Sequence, residues 1–354
     1  VSPHWFQFKA LNGQLTPNLH DPLEIEAFSN VIHYGDSMRE LCEQSMDAFT
    51  KLKSANFHTY NFDPLSLQYQ LPKLDVLVMF ATSQITPSYS MVALLKLLTD
   101  INPKLSLVLI DQDLSHGSIT SKIRKWKSQA PDLKIHVIHD NFKKDKSVDI
   151  VSSQSHMAFP YIDSFEREIL TYGYKPEVAY IGNDYDRREV MQLFFQGPEV
   201  HWYGRKKKDF DEECPTNCIH HGPFKWEVPI EDKYREHTFG INISREKYYK
   251  RRQYSPRFLE ITQSGVPFFS HSKYANAASF TTEFFVVDGY SDLFQKLHIA
   301  CQSDSFCADT AAYQRQAIKS IFSPERWLDT IGTVINGAYH QMEGFSINHY
   351  EGIL

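Results

Sequence analysis

The chain has 354 residues, 42% of them hydrophobic and 23% charged, an ordinary globular balance in a chain long enough for two cores. A net charge of −6 and a pI of about 6.2 exclude a protein that coats polyanions over its whole surface, while leaving room for a local basic patch. No run approaches the ~18 apolar residues of a membrane span, residues 1–13 lack the basic start and apolar run of a secretory signal, and five cysteines suit reduced thiols, so a cytoplasmic protein with no membrane partner is expected.

Residues 1–28 show no period; Pro3, Gly13, Pro17 and Pro22 interrupt them, and they read as an irregular extension. From there apolar runs and helical patterns alternate. Strands are expected over 30–34, 58–62, 75–80, 105–110, 134–138 and 148–152, with helices over 37–54, 89–100 and 121–130. A second series follows: strands over 178–181, 200–203, 218–221, 238–243, 265–269 and 284–287, and helices over 189–196, 257–263 and 291–301. A long closing helix is expected over 324–342, with Trp327, Ile331 and Ile335 on one face. Strands alternating with helices of this length predict right-handed βαβ units on parallel sheets. The expected fold class is α/β, with two Rossmann-like domains facing a cleft and a C-terminal helix crossing back. The expected divisions are an extension over 1–28, domains over 29–174 and 175–322, and a closing helix and tail over 323–354. Such sheets bind ligands beyond the carboxyl ends of their strands, where Gly35, Ala81 and Asp111 fall.

Several residue groups carry chemistry. Arg257 and Glu260 stand three apart at a helix start and share a face. There the arginine can pair with a diphosphate and the glutamate can accept from ribose hydroxyls, or the two can form a surface ion pair. Gly182-Asn183-Asp184-Tyr185-Asp186-Arg187-Arg188 follows a strand and opens a helix, a place where backbone N–H groups hold phosphate. The alternative is a polar loop with solvated arginines. The stretch lacks a Gly-x-Gly-x-x-Gly fingerprint, which disfavours a dinucleotide cofactor. Asp111 and Asp113 close an apolar run: a carboxylate there can act as general base on an acceptor hydroxyl, the pair can hold a divalent cation such as Mg2+ or Mn2+ on a diphosphate, or they can simply cap a turn. Cys214, Cys218, His220 and His221 have zinc-type side chains, but their spacing matches no strong zinc pattern. Lys122, Arg124, Lys125, Lys127, Lys134, Lys143, Lys144 and Lys146 form a basic stretch that can track a phosphate backbone or be a solvated face. Arg205-Lys206-Lys207-Lys208 reads as an exposed loop. Tyr248-Tyr249-Lys250-Arg251-Arg252 reads as a loop over a ligand or a linker.

The order of these pieces, the Gly-Asn loop with arginines, then VHWYGR, HHGPFKWEVP, FGINIS and RFLEITQSGVP, resembles the nucleotide-binding half of the GT-B glycosyltransferases. Within them it is similar to the DNA β-glucosyltransferase family of T-even phages, which glucosylates 5-hydroxymethylcytosine. The likeness is strongest over 177–290 and weaker in the first half, chiefly at VLIDQDLSHGS. It implies a nucleotide-sugar donor, UDP-sugars foremost, and duplex DNA carrying a hydroxymethylated pyrimidine as acceptor, flipped out of the stack to be reached. By position it places donor binding on Gly182, Asn183, Arg187, Arg188, Gly222, Phe224, Lys225, Arg257 and Glu260, with Gly222 to Lys225 beside the base. The catalytic aspartate falls on Asp111, and with such an acceptor the basic stretch holding Lys122, Arg124, Lys125, Lys127, Lys143 and Lys144 would hold the DNA backbone. The long extension before the first strand and the acidic pI depart from the family. A glycan or cell-envelope acceptor on the same fold, and a non-catalytic nucleotide-binding module, remain alternatives.

Overall fold

A computed structural model describes two stretches of the chain. In the first half it gives the strands named below with residues 100, 103, 128, 131 and 132. In the second it gives 161–323 apart from 162, 185–186, 206–216, 225–227, 251–254, 256, 275–276 and 278–279. The chain falls into two compact units, one of residues 1–160 to which it returns from Phe322, the other Tyr161–Ile321. No helix among the described residues is long and apolar enough to cross a membrane. The closing helix expected over 324–342 lies outside the described residues.

The first unit holds a seven-stranded sheet in the order β3-β1-β2-β4-β5-β6-β7. Its strands are β1 (Phe6–Lys9), β2 (Ile25–Asn30), β3 (Thr59–Asn61), β4 (Val76–Ala81), β5 (Ser106–Asp111), β6 (Lys134–His139) and β7 (Ser152–Ser155). From β2 to β7 every pair is parallel. The stretch read as irregular therefore contributes β1 and most of β2. In β1, Phe-Gln-Phe-Lys alternates with the period of two that a strand requires, and it pairs antiparallel to both β2 and β3. The prolines and glycine that suggested irregularity lie outside these two strands, as proline's missing N–H demands. The expected strand over 30–34 sits earlier, at β2, and the one over 148–152 sits later, at β7. Apolar β4 and β5 fall where the sequence placed them, and their register aligns Ala81, Asp111 and His139 at neighbouring carboxyl ends.

The second unit holds a six-stranded sheet, all parallel, in the order β10-β9-β8-β11-β12-β13. Its strands are β8 (Glu177–Ile181), β9 (Glu199–Tyr203), β10 (Cys218–His220), β11 (Gly240–Asn242), β12 (Phe268–His271) and β13 (Val286–Val287). Its helices are α1 (Arg188–Phe194), α2 (Ile230–Arg235), α3 (Glu246–Lys250), α4 (Arg257–Ser264), α5 (Tyr290–Ala300) and α6 (Asp304–Ile321). The chain winds outward from β8 to β9 through α1, then resumes on the other side of β8 at β11 and runs to β12 through α4. Right-handed crossovers in opposite directions set α1 and α4 on opposite faces. The strand order reverses between β8 and β11, and a sheet wound in this way takes its ligands beyond the carboxyl ends of the strands at that point.

Strand alternation fills the two faces. Val178, Tyr180, Val200 and Trp202 join Met191 and Phe194 from α1, Phe195 just after it, and Leu293 and Leu297 from α5 in one aromatic-rich core. On the other side α4 packs against α2 and α6. Gln314 of α6 is fully buried and bonds both backbone groups of Phe268, Oε1 accepting from N at 2.9 Å and Nε2 donating to O at 2.8 Å. A single amide thus satisfies a strand start that the ladder leaves open. Arg315 donates to the carbonyls of Thr262 and Arg167, tying α6 to the end of α4 and to the segment entering the unit. Helix α6 went unread in the sequence, although Cys307, Thr310, Ala311, Gln314, Ile318 and Ile321, its buried face, keep helical spacing.

Candidate functional site

Three glycines line up at the carboxyl ends of β8, β9 and β10. Gly182 N donates to Tyr203 O at 2.8 Å, and Gly204 N donates to Gly222 O at 2.8 Å. The indole N–H of Trp202 reaches Gly182 O at 2.7 Å, and His220 Nε2 lies 2.8 Å from Gly204 O. A Cβ on Gly204 would lie 2.0 Å from Gly182 O, so only glycine permits this approach. Gly222, at φ +87°, meets nothing within 4 Å in its Cβ direction, and Phe224 is half-buried just beyond it. Sequence reading named Gly182 and Gly222; Gly204, which connects them, follows the strand expected over 200–203 and was not named. Lys225 lies outside the described residues.

Asn183 closes the loop by accepting Arg205 N on Oδ1 at 2.8 Å, and Arg187 Nη1 donates to Asn183 O at 2.9 Å. Arg187 and Arg188 both stand at the start of α1, at the wall of a cavity of about 330 Å³ that Glu246 and Tyr249 of α3, His271 and Lys273 also line. Three cations and the carboxylates of Glu246 and Glu189 face this space. Glu246 is already matched by Lys250 at 3.7 Å and Lys273 at 3.5 Å. His271 is buried against the rings of Phe194 and Tyr249; burial pulls its imidazole down to about 4, and nearby Lys273 adds to this. It is therefore neutral at ordinary pH, with Nδ1 accepting Lys273 N at 3.2 Å. Sequence reading missed His271 and Lys273, whose only signal was their place at the end of a strand. It did single out the stretch that contains Tyr249.

Arg257 opens α4 and is 6% exposed. Its Nε donates to Ile181 O at 3.0 Å and its Nη1 to Ile243 O at 2.8 Å, bridging the ends of β8 and β11. The guanidinium lies over the Tyr180 ring, 4.8 Å from its centroid, and Nη2 reaches Gly182, 2.6 Å from where a Cβ would stand. The planar fork suits this triple duty as an ammonium could not. Glu260, one turn on, is half-buried. Burial pushes its carboxyl up to about 7, against the pull of Arg257. Glu231 of α2, 6% exposed, is likewise pushed up to about 7 by burial, with Glu260 raising it further and its own backbone N–H and Arg167 opposing. Two carboxyl groups with raised proton affinity thus face each other across the α2–α4 contact beside Arg257.

Asp111 ends β5 in the first unit, at a strand's carboxyl end; its side chain, and the whole of Asp113, Lys122, Arg124, Lys125, Lys127, Lys143 and Lys144, lie outside the described residues. The zinc-type residues of 214–221 do not assemble as a group where they are described: Cys218 packs at the edge of the core, and His220 is spent on Gly204 O and the Trp202 ring.

No protein-family model matches the sequence, and no curated protein matches it. Solved structures do match in fold. The DNA modifying enzyme β-glucosyltransferase, solved with and without uridine diphosphoglucose, superposes with a TM-score of 0.56 at 15% identity over 75% of this chain and 83% of that one. Phage T4 BGT with its UDP-glucose substrate gives 0.53 at 15% identity over 75% and 84%. The same protein with UDP and Mn2+ gives 0.52 at 14% identity over the same shares. At this identity the likeness is one of fold: the chain has the α/β architecture of these GT-B glycosyltransferases.

Proposed function

We propose that the chain is a glycosyltransferase that moves a sugar from a nucleotide-diphosphate sugar, UDP-glucose foremost, to the hydroxymethyl group of 5-hydroxymethylcytosine in DNA. The observation that carries the donor half is the carboxyl end of the second sheet. There Gly182 and Gly204 let the strand ends and Arg257 close up on one another, Gly222 leaves open space beside them, Arg257 ties the ends of β8 and β11, and Arg187, Arg188 and Lys273 face one cavity. The fold likeness to structures solved with UDP and UDP-glucose supports the same reading.

In this account Arg187, Arg188 and Lys273 hold the diphosphate and offset the charge that grows on it as the glycosidic bond breaks. Nη2 of Arg257 steadies the phosphate nearest Gly182. Asn183 shapes the loop, and Glu260, once ionised, accepts from the ribose hydroxyls. Gly222, Phe224 and Lys225 flank the base. Asp111 takes the proton of the acceptor hydroxyl, whose oxygen attacks the anomeric carbon in line and inverts it. General-base help of this kind is worth roughly 10²–10⁴ in rate. The stretch of Lys122, Arg124, Lys125, Lys127, Lys143 and Lys144 holds the DNA backbone. Among the described residues, the cavity offers arginine and lysine to a diphosphate and no group of three metal-binding side chains. Holding a divalent cation such as Mg2+ or Mn2+ is the alternative role of Asp111, with Asp113, and would take the place of its service as base.

The test is transfer from a panel of UDP-sugars to duplex DNA containing 5-hydroxymethylcytosine, read by nucleoside mass spectrometry. A hexose mass gain on the modified base is expected, abolished in Asp111→Ala while UDP binding persists. Wild-type turnover in Asp111→Ala would remove that residue from the chemistry. No transfer, with UDP still bound, would leave the donor site standing and refute the DNA acceptor.

A further inference from the structure

Away from the cavity and its arginines, three side chains distant in sequence converge on the second sheet. They are Glu177, the first residue of β8; His201, midway along β9; and His237, in the turn after α2. One donor atom from each lies within 4.8 Å of the others. All three are largely sheltered, at 14%, 13% and 8% side-chain exposure. Glu177 Oε2 stands 3.5 Å from His201 Nε2, and Glu177 Oε1 stands 3.6 Å from His237 Nδ1.

These separations are longer than good N–H···O hydrogen bonds. They match the spacing of two donors on one tetrahedral zinc ion, roughly 3.3–3.4 Å for bonds of about 2.0–2.1 Å. The outer nitrogens make close hydrogen bonds. His201 Nδ1 is 3.0 Å from His221 Nε2, and His237 Nε2 is 2.9 Å from the Tyr203 hydroxyl. An N–H donated outward from each ring would give the inward nitrogen a lone pair for an ion, the arrangement that orients metal-binding imidazoles; in the ion-free form His201 Nε2 donates to Glu199 Oε1 at 2.9 Å. Stacking fixes the rings as well: His201 on His237 at 4.2 Å and His221 on Tyr203 at 4.4 Å between centroids. Glu199, 53% exposed, holds Oε1 2.9 Å from His201 Nε2 and stands where it can exchange that contact for a fourth bond to a metal. Two carboxylates would then neutralise a divalent ion.

We infer that Glu177, His201 and His237 form a binding site for a late first-row divalent cation, zinc foremost, with His221 and Tyr203 orienting the two imidazoles and Glu199 or water completing the coordination. The ion joins the start of β8, the middle of β9 and the turn that leads from α2 into β11, so it fastens α2 to the sheet. It lies on the sheet's body, whereas the glycines and Arg257 mark the carboxyl ends, and the inference stands independently of the proposed reaction.

The probe is zinc sulfate titrated into tag-free, chelator-stripped full-length protein with a competing chromophoric chelator. One equivalent is expected to bind, raising Tm by about 5 °C when zinc is at least 100-fold above its Kd. Glu177→Gln, which keeps volume and shape, and His237→Gln should each weaken binding by roughly 100-fold while circular dichroism stays native. Replacing Cys214 and Cys218 by serine should change nothing. X-ray absorption on the zinc-loaded protein should show nitrogen and oxygen neighbours with imidazole scattering. Failure to bind one equivalent, a sulfur neighbour, or unchanged affinity in both Gln variants would overturn the site.

Discussion

Glu231→Gln isolates one of two carboxyl groups at the α2–α4 contact whose proton affinity is raised by burial. Burial pushes the Glu231 carboxyl from 4.5 up to about 7, with the Glu260 charge adding to it. Below pH 4.5 the folded and unfolded chains both hold the proton, and the residue contributes nothing to the pH dependence. Between pH 4.5 and 7 the folded chain keeps a proton that the unfolded chain has released, so stability falls as pH rises. Above pH 7 the loss is complete. At 1.36 kcal/mol per pH unit, the cost of ionised Glu231 comes to about 3 kcal/mol. Glutamine keeps the shape and cannot ionise. Urea unfolding of wild type and variant at pH 4.5 and pH 8.5 should give equal midpoints at the lower pH, and a variant more stable by about 2–3 kcal/mol at the higher. An equal difference at both values would refute the reasoning, and a variant less stable at pH 8.5 would show instead that the ionised carboxylate is used by the fold.

Gly204→Ala sets a Cβ 2.0 Å from Gly182 O; the ends of β8 and β9 must part, at a cost of about 2–3 kcal/mol, with loss of UDP binding by calorimetry. Gly173→Ala, at φ +80° with open space around it, should cost about 1 kcal/mol and leave binding intact. Arg257→Lys cannot reach Ile181 O and Ile243 O together; a chemical-denaturation loss of roughly 2–3 kcal/mol is expected, together with weaker UDP binding. Gln314→Leu strands the backbone N–H and C=O of Phe268 and should cost about 3 kcal/mol in the same assay while leaving the UDP affinity of the remaining folded protein unchanged.

Runs such as Val76–Ala81 and Ser106–Asp111 were legible because a short, continuously apolar run is the pattern that a central parallel strand requires. The polar loop from Gly182 to Arg188 was legible for a different reason: glycine at a strand end followed by basic residues at a helix start has few structural uses. Strand β1 escaped because four residues of alternating pattern carry little signal beside several helix- and strand-breaking prolines. Helix α2 escaped because a six-residue helix holds under two turns of periodicity. The chemistry divides along the same line. Arg257 and Glu260 share a helix face, so their spacing announced them. Arg257's spacing did not announce that two of its nitrogens would bridge backbone carbonyls, because the partners come from β8 and β11. Glu177, His201 and His237 are joined only by the parallel register of β8 and β9 and by the turn after α2. No local spacing encodes such a meeting, and the sequence drew attention instead to the adjacent His220 and His221, which act through Gly204 and His201.

The central claim is that the carboxyl end of the second sheet binds a nucleoside diphosphate. Hydrogen exchange with and without UDP, paired with calorimetry of UDP against uridine, tests it most directly. The account predicts protection gathered on 182–188, 243–249 and 271–273, micromolar binding of UDP, and at least ~100-fold weaker binding of uridine, since the arginines and Lys273 act on phosphate. Loss of UDP affinity when Arg187 and Arg188 are both replaced by alanine should accompany it. Protection confined to other segments, or uridine binding as tightly as UDP, would contradict the account.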